Sequence, residues 1–188
     1  LTAVGFSLGG NVLTRYLAQV QKNPYKAACI ICAPLDLSSC SKKIGKGFSK
    51  VYQKYLVDML KTATREKIAM DLLPQVCSKH LSSITKLWDF DQYVTAPING
   101  FEGAEHYYQQ ASGKFVISNI RNHCLFIHAA DDPFLDHESI VPHQPLPKHL
   151  TFEVCNKGGH VGFISGHNPL NPTYWLDKRI PGFLEQYL

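Results

Sequence analysis

The stretch VGFSLGGN, residues 4–11, places Ser7 between two glycines that lie two positions away on either side. Residues 1–6 form an apolar run, and apolar residues recur at helical spacing over residues 12–20. The pattern predicts a strand, a tight turn and a helix. In such a turn a serine is held at a strained bend with its Oγ exposed, so Ser7 is a candidate nucleophile.

The residues around Ser7 have separate predicted roles. We expect Gly5 and Gly9 to let neighbouring chain segments pass closely. The helix that begins near Leu8 directs unpaired N–H groups toward the turn, so the Leu8 amide is the first candidate donor to a developing oxyanion. The same pattern also fits a helix N-cap serine with glycines for tight packing.

Three later apolar runs predict further buried strands, at residues 27–33, 124–129 and 150–155. A closing helix is predicted over residues 175–187, with an interruption near Pro181. The strand and helix alternation predicts an α/β fold with a mostly parallel sheet and helices on both faces. We divide the chain into a βαβ unit at 1–34, a helical cap insertion at 35–113, and a final part at 114–188.

The predicted insertion contains one long amphipathic helix. Its apolar stripe runs from Phe48 to Leu60, and Lys50, Lys54 and Lys61 lie off or beside that stripe. If the chain is a hydrolase, this region would cap the pocket and set the acyl preference.

A nucleophilic serine needs a base, and the base needs a carboxylate that fixes its tautomer. His160 follows two glycines directly after the third predicted strand. Asp131 and Asp132 follow the second, at the edge where open α/β sheets build their sites. Asp132 before proline also fits a helix N-cap, and Asp36 is a rival acid. The order Ser7, Asp132, His160 is that of α/β-hydrolases.

Composition limits the other classes of function. The formal net charge of +4 comes from scattered Lys and Arg, so we expect no nucleic-acid partner, and no apolar run is long enough to span a bilayer. Six scattered cysteines favour reduced thiols in a cytoplasmic protein. Cys29 and Cys32 lie three apart in a strand-like run, which argues against a shared metal. We find no metal or nucleotide motif, so we expect no cofactor.

Four motifs can be compared with known families: GFSLGGN at 5–11, FDQYVTAPINGF at 90–101, HAADDPF at 128–134 and GGHVGF at 158–163. Together they resemble the YheT-like and ABHD1/ABHD3-type α/β-hydrolases, and favour the bacterial YheT-like branch. The resemblance implies that Ser7 is the nucleophile, Asp132 rather than Asp131 the acid, and His160 the base. It also implies hydrolysis of carboxylic esters with short or medium acyl chains and no cofactor.

Members of this family carry an upstream segment that supplies the second oxyanion amide and the first strands of the sheet. The chain starts with Leu1 rather than Met, so we expect it to be the C-terminal portion of a larger enzyme, inactive or poorly soluble alone. The alternatives are a non-catalytic protein that binds a ligand or partner, thioesterase or lipase chemistry, and a lyase that would need a helper such as Lys157.

Overall fold

The computed structural model describes residues 1–143, 145–166 and 172–188. The chain divides into two compact units. The first consists of Leu1–Asp36 and Ser112–Leu188, and the second of Leu37–Ala111. The second unit falls within the predicted insertion at 35–113, and its role as a cap stays a prediction.

The first unit is built on a parallel sheet. Its strands lie in the order β1-β2-β3-β4, and each neighbouring pair is parallel. The carboxyl ends of all four strands therefore meet at one edge, where Ser7, Asp132 and His160 follow. The strands are β1 (Thr2–Phe6), β2 (Ala27–Ile31), β3 (His123–Ala129) and β4 (Leu150–Cys155).

The predicted strands are confirmed to within two residues. The largest difference is in β2, which we expected to run to residue 33 and which ends at Ile31. Cys32 has a φ of 47°, so the backbone leaves the extended conformation there although the side chains stay apolar. Burial alone cannot signal this turn in the sequence, because residues 27–33 are all buried.

Helices cover both faces of the sheet. Helix α1 (Ser7–Gln19) places Leu17 in a cluster with Ile30 and Phe126, and Phe152 packs against the same cluster. The rings of Phe126 and Phe152 stack at 4.4 Å. The next residue along β4, Glu153, points to the opposite face, where it forms a forked ion pair with Arg179 of α9 (Leu176–Leu184).

The predicted interruption of the closing helix at Pro181 is wrong. Helix α9 runs through Pro181 and continues as a 3₁₀ turn at Glu185–Tyr187. Proline removes one backbone donor, but tertiary packing of Phe183 and Leu184, both buried, holds the last turn in place. A short helix (α8, His137–Ile140) follows β3, and two-residue strands β5 (Ile164–Ser165) and β6 (Thr173–Tyr174) pair antiparallel.

The second unit is helical, as predicted. Its apolar core contains Val57, Leu81, Ile84, Phe90 and Val94. Its elements are α2 (Leu37–Ile44), α3 (Ser49–Ala69), α4 (Ser78–Ser83), α5 (Leu87–Phe90), a π-helical turn at Asp91–Thr95, α6 (Ala96–Ile98) and α7 (Ala104–Ala111).

Helix α3 is present, but the face that it buries differs from the prediction. Phe48 and Tyr55 in the apolar stripe are 80% and 63% exposed, whereas Val57 and Lys61 are buried. The Lys61 ammonium donates to the backbone carbonyls of Ser82 and Ile84. The aliphatic part of the Lys61 side chain can therefore be buried, because its ammonium has hydrogen-bond acceptors. Hydrophobic periodicity counts lysine as polar and does not predict this burial.

Candidate active site

Ser7 lies at the junction of β1 and α1. Its φ of 48° is in the left-handed region, which is unfavourable for a residue with a Cβ. The helix begins one residue earlier than expected, and its N-cap is Phe6, which makes no side-chain capping bond. The alternative of Ser7 as an ordinary N-cap is therefore wrong, and its strained backbone turns the hydroxyl out of the helix start.

Close packing beside Ser7 depends on Gly5 and Gly10. A Cβ at Gly5 would meet the Gly10 Cα at 2.8 Å, and a Cβ at Gly10 would meet the Ala33 Cβ at 2.9 Å. The predicted steric role of Gly9 is not supported, because a Cβ there would meet no described atom within 4 Å. Gly9 faces outward at the start of α1, while Gly10 points at the sheet.

Leu8 is the second residue of α1, and its side chain is about half exposed. Its backbone amide belongs to the first turn of the helix, where amides have no acceptor within the helix. The helix dipole adds a partial positive charge at the same place. The Leu8 amide can therefore stabilise an anionic oxygen bound beside Ser7.

Asp132 follows β3 and its side chain is fully buried. One carboxylate oxygen, Oδ1, accepts a hydrogen bond from the Phe134 amide at 2.8 Å. The other, Oδ2, lies 2.8 Å from Nδ1 of His160. Both oxygens are therefore oriented, one by the backbone of its own turn and the other by the imidazole.

The two rival acids have other partners. Oδ1 of Asp131 accepts the backbone amides of Gly158 and Gly159, each at 2.8 Å, so this residue holds the loop rather than the ring. Asp36 pairs with Lys114. Of the three candidate carboxylates, only Asp132 contacts the His160 ring in the described residues.

His160 completes the cluster. Its Nε2 lies 2.8 Å from Ser7 Oγ, and its Nδ1 faces Asp132. The ring is packed edge-on against Phe134, with centroids 4.6 Å apart, and its side chain is only 16% exposed. Ser7, His160 and Asp132 thus form one continuous chain of hydrogen bonds, drawn from three separate strand ends.

The loop that carries His160 is tightly coiled. Gly159, Val161 and Phe163 all have positive φ values, of 59°, 63° and 44°. A Cβ at Gly158 would meet the Phe163 ring at 2.7 Å, so this position requires glycine. The two glycines that we singled out before His160 therefore serve the close approach and the left-handed backbone.

The sequence did not point to two residues at this site. Phe134 packs on the imidazole, and Cys32 lies beside the acid and the histidine loop, with its Sγ 4.0 Å from the Gly159 carbonyl oxygen. Burial raises the pKa of the Cys32 thiol to about 12, so it is neutral near pH 7. His167, which in the sequence lacks the glycine setting of His160, lies outside the described residues.

A family profile described as the alpha/beta hydrolase fold matches residues 1–167 of the chain. The chain belongs to this family. The fold expected for a YheT-like α/β-hydrolase is therefore confirmed. In this fold Ser7 lies at the sharp strand-to-helix turn, and Asp132 and His160 follow later strands.

Relatives with curated names include bacterial and eukaryotic proteins. The chain is 42% identical over 99% of its length to YheT of Escherichia coli K12, a protein named as an esterase. It covers 55% of that protein. It is 32% identical to an abhydrolase domain-containing protein of Dictyostelium discoideum over 98% of its length, covering 47%. Human monoacylglycerol lipase ABHD2 is 27% identical over 96%, with 46% covered. The chain thus spans about half the length of these α/β-hydrolases.

Among solved structures, the Pyrococcus furiosus esterase Pf2001 matches with a TM-score of 0.52. The match covers 99% of this α/β-hydrolase chain and 53% of the esterase, at 14% identity, so it supports the fold alone. Within the part of the chain that the structure describes, no helix combines the length and the apolar composition needed to cross a membrane.

Proposed function

We propose that this chain carries the catalytic residues of a serine hydrolase that cleaves carboxylic esters. The observation that carries the proposal is the continuous chain from Ser7 Oγ through the His160 ring to Asp132, with both links at 2.8 Å. A serine hydroxyl gains nucleophilicity only when a base can take its proton, and the imidazole is within hydrogen-bonding distance to do so.

In the first half of the reaction, Ser7 Oγ attacks the ester carbonyl while His160 Nε2 takes its proton. Asp132 fixes the ring with the proton on Nδ1 and stabilises the imidazolium that forms. The tetrahedral oxygen accepts a hydrogen bond from the Leu8 amide. Collapse of this intermediate expels the alcohol, which receives the proton from His160, and leaves an acyl group on Ser7.

In the second half, water takes the place of the alcohol. His160 removes a proton from the water as it attacks the acyl-enzyme carbonyl, and returns it to Ser7 when the acid leaves. Every proton transfer uses the same nitrogen, Nε2, and the chemistry needs no cofactor beyond water.

For the substrate, we propose esters with short or medium acyl chains, in a cytoplasmic bacterial enzyme. The names of the relatives, an esterase and a monoacylglycerol lipase, support the ester class. Activity assays would decide between a simple ester and a glycerolipid as the substrate.

The decisive experiment is labelling with a fluorophosphonate probe, which reacts only with an activated serine. We expect the protein expressed from its complete reading frame to be labelled, Ser7→Ala to abolish labelling, and His160→Ala to reduce it strongly. Ser83→Ala is the matched control, because Ser83 is an exposed helix serine in the other unit. Labelling that survives Ser7→Ala would refute the proposal.

A graded series of p-nitrophenyl esters then tests turnover. We expect hydrolysis to be fastest with short or medium chains and to be lost in Ser7→Ala. A protein that is labelled but hydrolyses none of the esters would instead support the alternative of a non-catalytic binding protein.

A further inference from the structure

We propose that Cys32, Asp132 and His160 form a binding site for a thiophilic divalent cation such as Zn²⁺, and that its occupation inhibits the hydrolase. The inhibitory consequence rests on the proposed function, whereas cation binding depends only on the three side chains. This proposal does not involve the Cys29 and Cys32 pair, for which we expected no shared metal. The partners of Cys32 here are Asp132 and His160, which follow other strands.

The three side chains offer one sulfur, one oxygen and one nitrogen, and these ligand atoms all lie within 4.8 Å of one another. Zinc bonds of about 2.0–2.3 Å place tetrahedral ligands about 3.5 Å apart. His160 Nδ1 and Asp132 Oδ2, now 2.8 Å apart, would have to separate by about 0.7 Å, and the most distant pair of ligand atoms would have to approach by at most about 1.3 Å, with a fourth position left for water.

The backbone holds these ligands at the sheet edge. Cys32 follows β2, Asp132 follows β3 and His160 follows β4, so three adjacent strands deliver one ligand each. The Cys32 amide donates to the Ile127 carbonyl at 2.8 Å, which fixes the strained residue against the sheet. A left-handed backbone is unfavourable for a residue with a Cβ, and here it occurs at the position that brings Cys32 close to Asp132 and His160.

Electrostatics favour a divalent ion at this place. Both Cys32 and Asp132 are buried and their ligand atoms lie within 4.8 Å of each other, and a thiolate beside a carboxylate is unfavourable in such a place without a cation. When the ion binds, the Cys32 S–H bond breaks, its proton goes to solvent and a sulfur–metal bond forms. The two negative charges then offset the two positive charges of the ion, so the occupied site is neutral.

Occupation would inhibit by changing the tautomer of His160. The ring nitrogen that faces Asp132 is Nδ1. When Nδ1 binds the ion it loses its proton, and the ring takes up a proton at Nε2, so its charge is unchanged. Nε2 then donates to Ser7 Oγ and can no longer accept its proton, which removes the general base.

Binding can be tested without activity. We would titrate Co²⁺, a spectroscopic substitute for Zn²⁺, into the full-length protein carrying Ser7→Ala, with the exposed Cys77 replaced by serine to remove a competing thiol. A sulfur-to-cobalt charge-transfer band should appear, and adding Cys32→Ala or His160→Gln should abolish it. Cys29→Ala is the matched control, because Cys29 is equally buried but belongs to β2 itself.

Inhibition is measured separately, on the active enzyme with an ester substrate. Zn²⁺ should inhibit reversibly, EDTA should restore activity, and Cys32→Ala should raise the inhibitory concentration by about tenfold or more. Absence of the cobalt band, or its persistence in both Cys32→Ala and His160→Gln, would overturn the site. A band without Zn²⁺ inhibition of an active enzyme would overturn the inhibitory role. If the protein hydrolyses no ester, the proposed function fails while the cobalt titration still decides binding.

Discussion

Asp131 Oδ1 accepts a hydrogen bond at 2.8 Å from the backbone amide of Gly159, the residue directly before His160. The same oxygen also accepts the Gly158 amide. The adjacent Asp132 contacts the imidazole itself. Asp131 therefore positions the backbone of the loop that carries His160, and Asp132 orients the His160 ring itself.

This arrangement predicts different outcomes for the two aspartates. Asp131→Asn keeps a side-chain oxygen for the two amides and should leave kcat close to that of the wild type. Asp131→Ala removes the acceptor and should lower kcat about tenfold, with little effect on KM, because the base is misplaced rather than the substrate site. Asp132→Asn should lower kcat on the order of 10³–10⁴-fold. Steady-state kinetics on one p-nitrophenyl ester measure all three.

An equal loss in Asp131→Asn and Asp131→Ala would mean that the negative charge, and not the acceptor, is what matters. A greater loss in Asp131→Asn than in Asp132→Asn would reverse the assignment of the acid.

Gly9 and Gly10 should respond in opposite ways to alanine. Gly10→Ala places a Cβ 2.9 Å from the Ala33 Cβ and 3.0 Å from the Gly5 carbonyl oxygen, so it should destabilise the protein and reduce labelling of Ser7. Gly9→Ala meets no described atom and gains helix propensity, up to about 1 kcal/mol. Thermal unfolding should show a lower Tm for Gly10→Ala and an unchanged or higher Tm for Gly9→Ala. A matching loss of Tm in Gly9→Ala would contradict this assignment.

His128 gives the fold a dependence on pH. It is fully buried in β3, and neither ring nitrogen has a hydrogen-bond partner in the described residues. Burial lowers its pKa to about 4, against a weaker opposing effect of Asp132, and His160 acts in the same direction as burial. Between about pH 6.5 and pH 4 the unfolded chain therefore binds a proton that the folded chain refuses, and the free energy of unfolding falls as pH falls.

We expect His128→Leu to flatten the decrease of Tm over this pH range. The exposed His137→Leu is the control and should leave the slope unchanged. The comparison uses slopes, so any constant effect of packing on Tm cancels. Parallel slopes for the wild type and His128→Leu would rule out His128 as the titrating group.

A buried polar cluster stabilises the helical unit. The Tyr108 hydroxyl donates to Oδ2 of Asp91 at 2.7 Å and lies 3.0 Å from Ser41 Oγ, and Thr95 donates to Oδ1 of Asp91. Burial raises the pKa of Asp91, so its carboxylate depends on these donors. Tyr108→Phe should therefore lower the free energy of unfolding by about 1–3 kcal/mol.

Urea denaturation measures this effect. Tyr55→Phe is the matched control, because Tyr55 lies in the same unit and is 63% exposed. Equal stability of Tyr108→Phe and Tyr55→Phe would show that the cluster around Asp91 contributes no net stabilisation.

Several features were predictable because they depend on residues close together in the chain. The strand, turn and helix around Ser7 follow from an apolar run, a glycine pair and helical periodicity, all within 20 residues. Features that depend on packing were not predictable in the same way. The outward face of Gly9, the buried Lys61 and the uninterrupted helix at Pro181 each result from what the rest of the fold places beside them.

By itself, the sequence determined the α/β class, the order of Ser7, Asp132 and His160, and the positions of the strand ends that carry them. Strand pattern alone left Asp131 and Asp132 both open, because a shift of one residue reverses the direction of a side chain in an extended segment, and only the family resemblance favoured Asp132. Only the tertiary structure brought Asp131 to the loop backbone, Asp132 to the ring and Cys32 beside both. Those contacts join residues up to 128 positions apart, from Cys32 to His160, and depend on the parallel order of three strands that local propensity does not specify.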